Sequence, residues 1–194
     1  MKKTIISFSI LLGAFMSNAQ SYGIETPDMN VVFAGIPATF TGGACGDYKK
    51  VTVSPSTVTA STAQIGSYVT VGATAIDKSG KYVSLGSQKF LVKATPKPEL
   101  FWNGIGDGGS ATKGSGGNLT CRFGDNVPFD PSLGKFSITS YTITLDGLKG
   151  SLQGSGSTIS EAHLNVLKNM TGRATISVKY TGTASGTITA MFVI

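Results

Sequence analysis

The chain has 194 residues with 26 Gly, 23 Thr and 22 Ser, and only 13% of its residues are charged. Average proteins carry about 25% charged residues, and long amphipathic helices need them for their wet faces, so an all-α fold is excluded. The 40% hydrophobic content excludes a disordered chain. One His and two Cys leave little material for a metal cluster or a nucleophile–base pair. We therefore expect an all-β protein that is not an enzyme and holds no cofactor and no metal.

The N-terminal segment has the pattern of an export signal. Two lysines precede the apolar run of residues 4–15, which is short for a bilayer of about 30 Å, and small residues follow at Ser17 and Ala19. We predict a signal peptide at 1–19 and Sec-type export; the alternative is an uncleaved anchor. No later stretch approaches 18 apolar residues, so we expect no membrane insertion after cleavage. The expected location is the periplasm, and the alternative is the cell surface or the extracellular medium.

We interpret the positive charge as ordinary solubility. Without residues 1–19 the chain has 14 basic and 10 acidic residues, and only Arg122 and Arg173 are arginines. Nucleic-acid binders concentrate Lys and Arg on one face, whereas the longest basic run here is Lys49-Lys50. We therefore expect no nucleic-acid partner.

Residues 22–95 are predicted to form a first β-sandwich domain. Val69 and Val71 alternate with polar or small residues, which is typical of a strand with one buried face. Residues 77–80 lie between two such runs and predict a hairpin turn with Gly80 at positive φ. The predicted strands are 29–33, 50–54, 57–60, 68–75 and 88–93. Because no helical stretch separates them, they favour an antiparallel, Ig-like sandwich.

Pro96 and Pro98 mark the boundary between two domains. Neither can donate a ladder hydrogen bond, and both hold the backbone near polyproline geometry, so we predict a stiff hinge. A second β-sandwich is expected over residues 99–194.

Within this second domain, residues 101–117 contain seven Gly and are expected to form a loop or a very short strand. In residues 135–145 the alternation of apolar side chains shifts by one position, which predicts a β-bulge. Residues 160–170 are the one predicted helix, with Ser160 as its cap. Two closing strands are predicted at 174–180 and 187–194.

These landmarks resemble the C-terminal periplasmic region of the gliding-motility and type IX secretion protein family GldM (PorM). The opening strand Met29-Asn30-Val31-Val32-Phe33 and the closing strand Lys89-Phe90-Leu91-Val92-Lys93 before Pro96 and Pro98 carry the resemblance, together with a strand pair in residues 126–140. It covers most of residues 29–194. This sequence has Leu91 where the family usually has Arg, and Lys97 where it usually has Asp.

The resemblance implies two stacked β-sandwich domains, a homodimer, and docking against other cell-envelope proteins of the secretion or gliding machinery. The family's motor proteins begin with a retained transmembrane helix and a helical periplasmic domain. We find neither pattern here, so we expect a relative that is not coupled to the inner-membrane motor.

Cys45 and Cys121 both follow the signal segment, and an exported protein reaches a compartment where disulfides persist. A Cys45–Cys121 bridge is one alternative and would stabilise the chain by up to about 4 kcal/mol. Two buried, inert thiols are the other.

Three further motifs are interpreted as structural. The spacing of Gly104, Gly106 and Gly109 matches a dinucleotide fingerprint, but no helical stretch follows it. His163 has no partner at metal-ligand spacing and no nucleophile elbow. The acidic residues of the Gly- and Pro-containing loops are expected to form turns rather than a calcium site; they are Asp107, Asp125 and Asp130.

Phe101 and Trp102 directly follow the proline segment. An exposed pair would stack on a sugar or a partner protein, whereas large aromatic side chains usually bury most of their area. We favour packing at the hinge and keep the interface role as the alternative. The expected function is an exported, non-enzymatic protein-interaction module of the GldM type. The competing hypothesis is a surface or adhesin-like sandwich that binds glycan through these aromatics and nearby Tyr residues.

Overall fold

A computed structural model gives the fold. It describes residues 30–42, 48–111 and 116–194, and the backbone of Phe8–Ser9. The chain is mostly β-structure and divides into two compact units, Met1–Thr95 and Pro96–Ile194. The division falls in the proline segment that the sequence marks as a boundary. In the described ranges no helix is long and apolar enough to cross a membrane.

The first unit consists of short and medium strands. As far as the structure describes it, they are β1 (Phe8–Ser9), β2 (Val31–Phe33), β3 (Ala38–Thr41), β4 (Tyr48–Ser54), β5 (Thr57–Val58), β6 (Tyr68–Asp77) and β7 (Tyr82–Lys93). A 3₁₀ turn, Thr62–Gln64, precedes β6. One sheet has the order β2-β7-β6-β4 and the other the order β1-β3-β5. The pairs β2–β7 and β1–β3 are parallel, and the remaining pairs are antiparallel.

The predicted hairpin turn joins β6 to β7. A carboxylate oxygen of Asp77 accepts hydrogen bonds from the Lys81 backbone N–H at 2.9 Å and from the Ser79 hydroxyl at 2.5 Å. Gly80 has φ of 91°, a conformation that residues with a Cβ rarely adopt. The turn prediction is therefore confirmed.

The core of the first unit lies on one face of the β2-β7-β6-β4 sheet. Val71, Ala73 and Ala75 of β6 point inward in strict alternation and are buried. Phe90 of β7 packs against Phe40 of β3, with ring centroids 4.8 Å apart. Each fully buried side chain of this size stabilises the fold by about 1.5–3 kcal/mol. The two Phe rings thus join the two sheets.

The second unit combines strands with one α-helix. Its elements are β8 (Glu99–Trp102), β9 (Leu119–Arg122), a 3₁₀ turn (Pro131–Leu133), β10 (Phe136–Leu145), β11 (Leu152–Ser155), α1 (Glu161–Lys168), β12 (Arg173–Gly182) and β13 (Gly186–Val193). One sheet has the order β11-β10-β12-β13, and β8 pairs with β9 in a second, two-stranded sheet. All of these pairs are antiparallel.

The predicted β-bulge lies in β10. Its register against β12 shifts between Ile138 and Ser140, so Thr139 is the extra residue. Beyond it Tyr141, Ile143 and Leu145 all turn to the core and are buried. The bulge therefore keeps the apolar side chains of the strand's second half on the buried face.

The predicted helix is confirmed as α1. The Ser160 hydroxyl oxygen accepts a hydrogen bond from the His163 backbone N–H at 3.3 Å, as an N-cap does. Glu161 in the first turn and Lys168 in the last turn complement the helix dipole. Leu167 is buried in the core of the second unit, and Leu164 packs against its edge.

The sequence did not predict strands β1, β3, β9 and β11, and β8 begins before the stretch that was expected to form a loop or a very short strand. Gly154 and Ser155 belong to β11. Gly154 lies directly over the ring of Tyr141 on the neighbouring strand, and a Cβ at this position would overlap that ring. Glycine at this position of β11 thus allows the close approach of the Tyr141 ring from β10.

Candidate interaction surfaces

The outward side of the β2-β7-β6-β4 sheet carries the two most exposed large apolar side chains of the described residues. Tyr82 is 76% exposed and Tyr68 is 62% exposed. Tyr82 pairs across the strands with Ile76, which pairs in turn with Lys50. We call this surface the tyrosine–lysine face; its members are Lys50, Tyr68, Thr70, Thr74, Ile76, Tyr82, Ser84, Ser87, Lys89, Leu91 and Lys93.

The tyrosine–lysine face has its apolar side chains and its lysines toward the two ends. At one end Tyr68 lies opposite Leu91, and Ile65, three residues earlier in the chain, is 45% exposed. Lys89 lies opposite Thr70 one row further along, and small polar side chains fill the middle rows. No carboxylate is a member of this face. An exposed aromatic surface with one sign of charge is typical of a binding surface rather than of general solubility.

Net charge is divided evenly between the two parts of the chain. Residues 20–95 have six basic and four acidic residues, Asp77 among the latter, and residues 96–194 have eight basic and six acidic residues. Hydrogen bonds from the Ser79 hydroxyl and the Lys81 N–H lower the pKa of Asp77 below its usual value. Each part thus has a net charge of +2, which agrees with the prediction that charge is scattered along the chain.

Dimensions limit how strongly this face can bind. Eight residues of β6 separate Tyr68 from Ile76, which is about 26 Å, and four strands span about 14 Å. The resulting footprint of roughly 400 Å² is about half of the area that each partner contributes to a standard interface. An interface confined to this face belongs to the weak, transient class.

The second unit presents a different outward sheet face and a cleft. Outward positions on β10, β12 and β13 carry hydroxyls, among them Thr142, Ser177 and Thr189, and no large aromatic side chain. A cleft of about 280 Å³ lies between β9 and β10. It is lined by residues 118–121 and 136–138 and by Ser157, and none of these side chains is charged.

The aromatic pair after the proline segment is buried. Trp102 is only 3% exposed, packs edge-on against Phe192 at 5.6 Å, and donates its indole N–H to the Gly116 carbonyl at 3.0 Å. Phe101 is also buried, and the Arg122 guanidinium lies 4.0 Å from its ring centroid. Both side chains are buried, as the favoured interpretation expects, and the alternative of an exposed interface pair is wrong. Trp102 packs in the core of the second unit.

The structure describes Cys121 but not Cys45. Cys121 is half-buried on β9 and carries a free thiol, and burial raises the pKa of this thiol to about 11. Cys45 lies outside the described residues. The Cys45–Cys121 bridge therefore stays a prediction. Pro96 and Pro98 lie in extended, irregular backbone before β8, and their role as a stiff hinge stays a prediction as well.

The structure gives the loop carboxylates local partners. Asp107 accepts a hydrogen bond from the Met191 N–H at 2.6 Å, Asp130 accepts one from Ser132 N–H at 2.9 Å, and Asp125 lies 4.0 Å from Arg122. Within the described residues, no three His, Cys, Asp or Glu side chains lie together as metal ligands would. These carboxylates thus hold turns and strand ends in place.

The glycine motif and the histidine have structural surroundings as well. Gly104, Gly106 and Gly109 lie in a series of turns after β8, and no helix begins in this stretch up to residue 111. The stretch therefore lacks the helix N-terminus that would hold a pyrophosphate. The Nδ1 atom of His163 lies 3.0 Å from the Tyr141 hydroxyl oxygen. Neither motif forms a reactive constellation.

Comparison with known proteins gives no family. No protein-family model matches the chain, and no curated protein matches its sequence significantly. The resemblance to the GldM family therefore stays a prediction.

Proposed function

We propose that the protein is an exported, non-enzymatic interaction module that docks a negatively charged surface of another envelope protein on its tyrosine–lysine face. The observation that carries this proposal is the combination of Tyr68 and Tyr82, both highly exposed, with three lysines and no carboxylate on one sheet face. Exposed Tyr side chains supply contact area at low entropic cost. Lysines at the rim of an interface steer an acidic partner and exclude a basic one.

The proposal includes an interaction role like that of the C-terminal region of the GldM family. A β-rich chain of two units, each with its own core, is consistent with that family's C-terminal region. We further infer that the first unit is Ig-like. The parallel pairing of β2 with β7, the β6–β7 hairpin and the separate β3–β5 pair support this assignment.

The expected homodimer would use another surface. Two copies of the tyrosine–lysine face would bring lysines of like charge together, and this repulsion disfavours their direct contact. Light scattering on the purified chain measures the oligomeric state, and the variant Lys50→Glu with Lys89→Glu should leave it unchanged.

Quantitative capture from envelope extracts tests the docking proposal. The wild-type chain is compared with a variant carrying Lys50→Glu and Lys89→Glu, and with Lys168→Glu, a single charge reversal on α1, as the control away from this face. We expect a discrete set of acidic proteins that is retained by wild type and Lys168→Glu and lost by the double variant. Equal retention by all three chains would contradict the proposal. Retention of glycan instead, lost with Tyr68→Ala and Tyr82→Ala, would favour the adhesin-like alternative.

A further inference from the structure

We propose that cleavage of the predicted signal peptide opens one side of β3 in the first unit, and that an uncharged strand of another protein then takes the place of β1. The proposal rests on export, which belongs to the function proposed above, but it does not use the tyrosine–lysine face. Its starting point is that Phe8 and Ser9, which form β1, lie within residues 1–19. Signal peptidase would therefore remove a strand that belongs to a sheet.

β1 lies on the side of β3 that faces away from β5. The Phe40 N–H donates to the Ser56 carbonyl at 2.8 Å, on the side of β5. Because backbone direction alternates along a strand, the N–H and C=O groups of Thr39 and Thr41 face the other side. On that side β1 runs parallel to β3. Removal of β1 therefore leaves these backbone groups of β3 without their strand partner.

The vacated space has the width of one strand. β1 pairs directly with β3, with Phe8 opposite Phe40 and Ser9 opposite Thr41, and paired strands lie about 4.8 Å apart. A new strand can take this position without displacing any described strand that follows residue 19. A strand edge with unpaired N–H and C=O groups recruits such a strand from another chain.

The sequence around β1 indicates the chemistry of the strand that would replace it. In residues 6–10 apolar side chains alternate with serines, and none of these residues is charged. The facing strand β3, Ala38–Thr41, is also uncharged. Its Phe40 is buried and packs against Phe90 of the other sheet. A strand beside β3 therefore needs apolar residues at alternate positions and no charge.

The residues that remain ahead of β2 after cleavage do not have this chemistry. Residues 20–29 contain Gly23, Glu25, Pro27 and Asp28. Proline cannot donate a ladder hydrogen bond, glycine weakens a strand, and burial of a carboxylate is costly. A second copy of the chain offers the same N-terminal residues. The sequence therefore favours a strand from a different protein.

A peptide titration tests whether the exported chain has this open edge. The chain is purified after export, its N-terminus is identified by mass spectrometry, and a fluorescent peptide of residues 5–11 with two added lysines for solubility is the probe. In a parallel ladder Thr41, which lies opposite Ser9, bonds to the residues on either side of Ser9. We expect N-methylation of the peptide at Phe8 or Ile10 to weaken binding about tenfold.

The matched control is the same peptide methylated at the nitrogen of Ser7 or Ser9. These groups face away from β3 in the same register, so we expect binding close to that of the unmodified peptide. Equal affinities for all the peptides would overturn the proposal. Absence of binding, or an exported chain that still contains residues 1–19, would overturn it as well.

Photo-cross-linking in cells identifies the occupant. A photo-reactive amino acid replaces Thr41, or replaces Thr57 of β5 as the control on the other side of β3. We expect position 41 alone to cross-link to an uncharged segment of another protein in which apolar residues alternate. Lys50→Glu with Lys89→Glu should leave this cross-link in place, which separates it from docking on the tyrosine–lysine face. No cross-link, or one only to residues 20–29 of the same chain or a second copy, would overturn the proposal.

Discussion

The hydroxyl oxygen of Tyr141 lies 3.0 Å from Nδ1 of His163 and, at the same time, accepts a hydrogen bond from the Ser160 backbone N–H at 3.0 Å. The hydroxyl donates to Nδ1 in the tautomer that carries its proton on Nε2, and it accepts from Nδ1–H in the other tautomer. The single histidine of the chain is thus used to join the start of α1 to β10. The same residue would be the base in any Ser-His-Asp mechanism, and this contact gives it a structural role instead.

Replacement of Tyr141 by Phe should destabilise the second unit by about 1–3 kcal/mol, because the Ser160 N–H and His163 Nδ1 would lose their partner in a partly buried site. Urea unfolding followed by Trp fluorescence measures this, since Trp102 is the only Trp and lies in the second unit. Tyr68→Phe is the control and should leave the transition unchanged, because that side chain is exposed. Equal midpoints for both variants would contradict the role given to Tyr141.

Trp102→Ala should cost about 3–5 kcal/mol, since it removes a buried ring that packs on Phe192. Tyr82→Ala should change stability by no more than about 0.5 kcal/mol, because its ring is mostly in water. Thermal unfolding followed by circular dichroism compares the two. A large loss for Tyr82→Ala would mean that the ring supports the fold rather than a partner.

Gly154→Ala should destabilise the second unit by about 1–3 kcal/mol, because the new methyl group overlaps the Tyr141 ring. Gly72→Ala is the matched control in a strand of the first unit, where the nearest atom lies 3.7 Å from the added Cβ. The control should be neutral or stabilising by up to about 1 kcal/mol. Trp fluorescence and circular dichroism together follow both units, and a tolerated Gly154→Ala would refute the close approach.

Stability of the second unit should fall at high pH. Burial raises the pKa of the Cys121 thiol from 9.0 to about 11 and also raises the pKa of Tyr180. The unfolded chain therefore loses the thiol proton first, so stability that is fully present below pH 9.0 is lost as the pH rises toward about 11. In a Cys45→Ser background, urea midpoints at about pH 8 and about pH 10.5 measure this loss. The further variant Cys121→Ala should show a smaller one, and an identical pH dependence would contradict the assignment.

Local patterns predicted the elements whose signal lies within a few neighbouring residues. The β6–β7 turn needs only Asp77 and Gly80, the bulge at Thr139 shows in the apolar alternation of a single strand, and α1 has its own cap in Ser160. The short strands β9 and β11 have no such pattern, because glycines and hydroxyls carry little periodicity. Their pairing comes from partners far along the chain.

Only part of the tyrosine–lysine face could be predicted from the sequence. Register shifts in β4 and β7 change the side of the sheet on which the following residues lie. They therefore decide which lysines share a face with Tyr68 and Tyr82. Burial of Trp102 depends on Phe192, which is 90 positions away in the sequence.

Site-specific photo-cross-linking in living cells tests the docking claim most directly. A photo-reactive amino acid replaces Tyr82 on the tyrosine–lysine face or Thr189 on the exposed hydroxyl face of the second unit. We predict that position 82 gives a discrete cross-link to an envelope protein with an acidic surface, that Lys50→Glu with Lys89→Glu abolishes it, and that position 189 gives none. Identical cross-links from both positions, or none from position 82, would contradict the proposal that this face binds a partner.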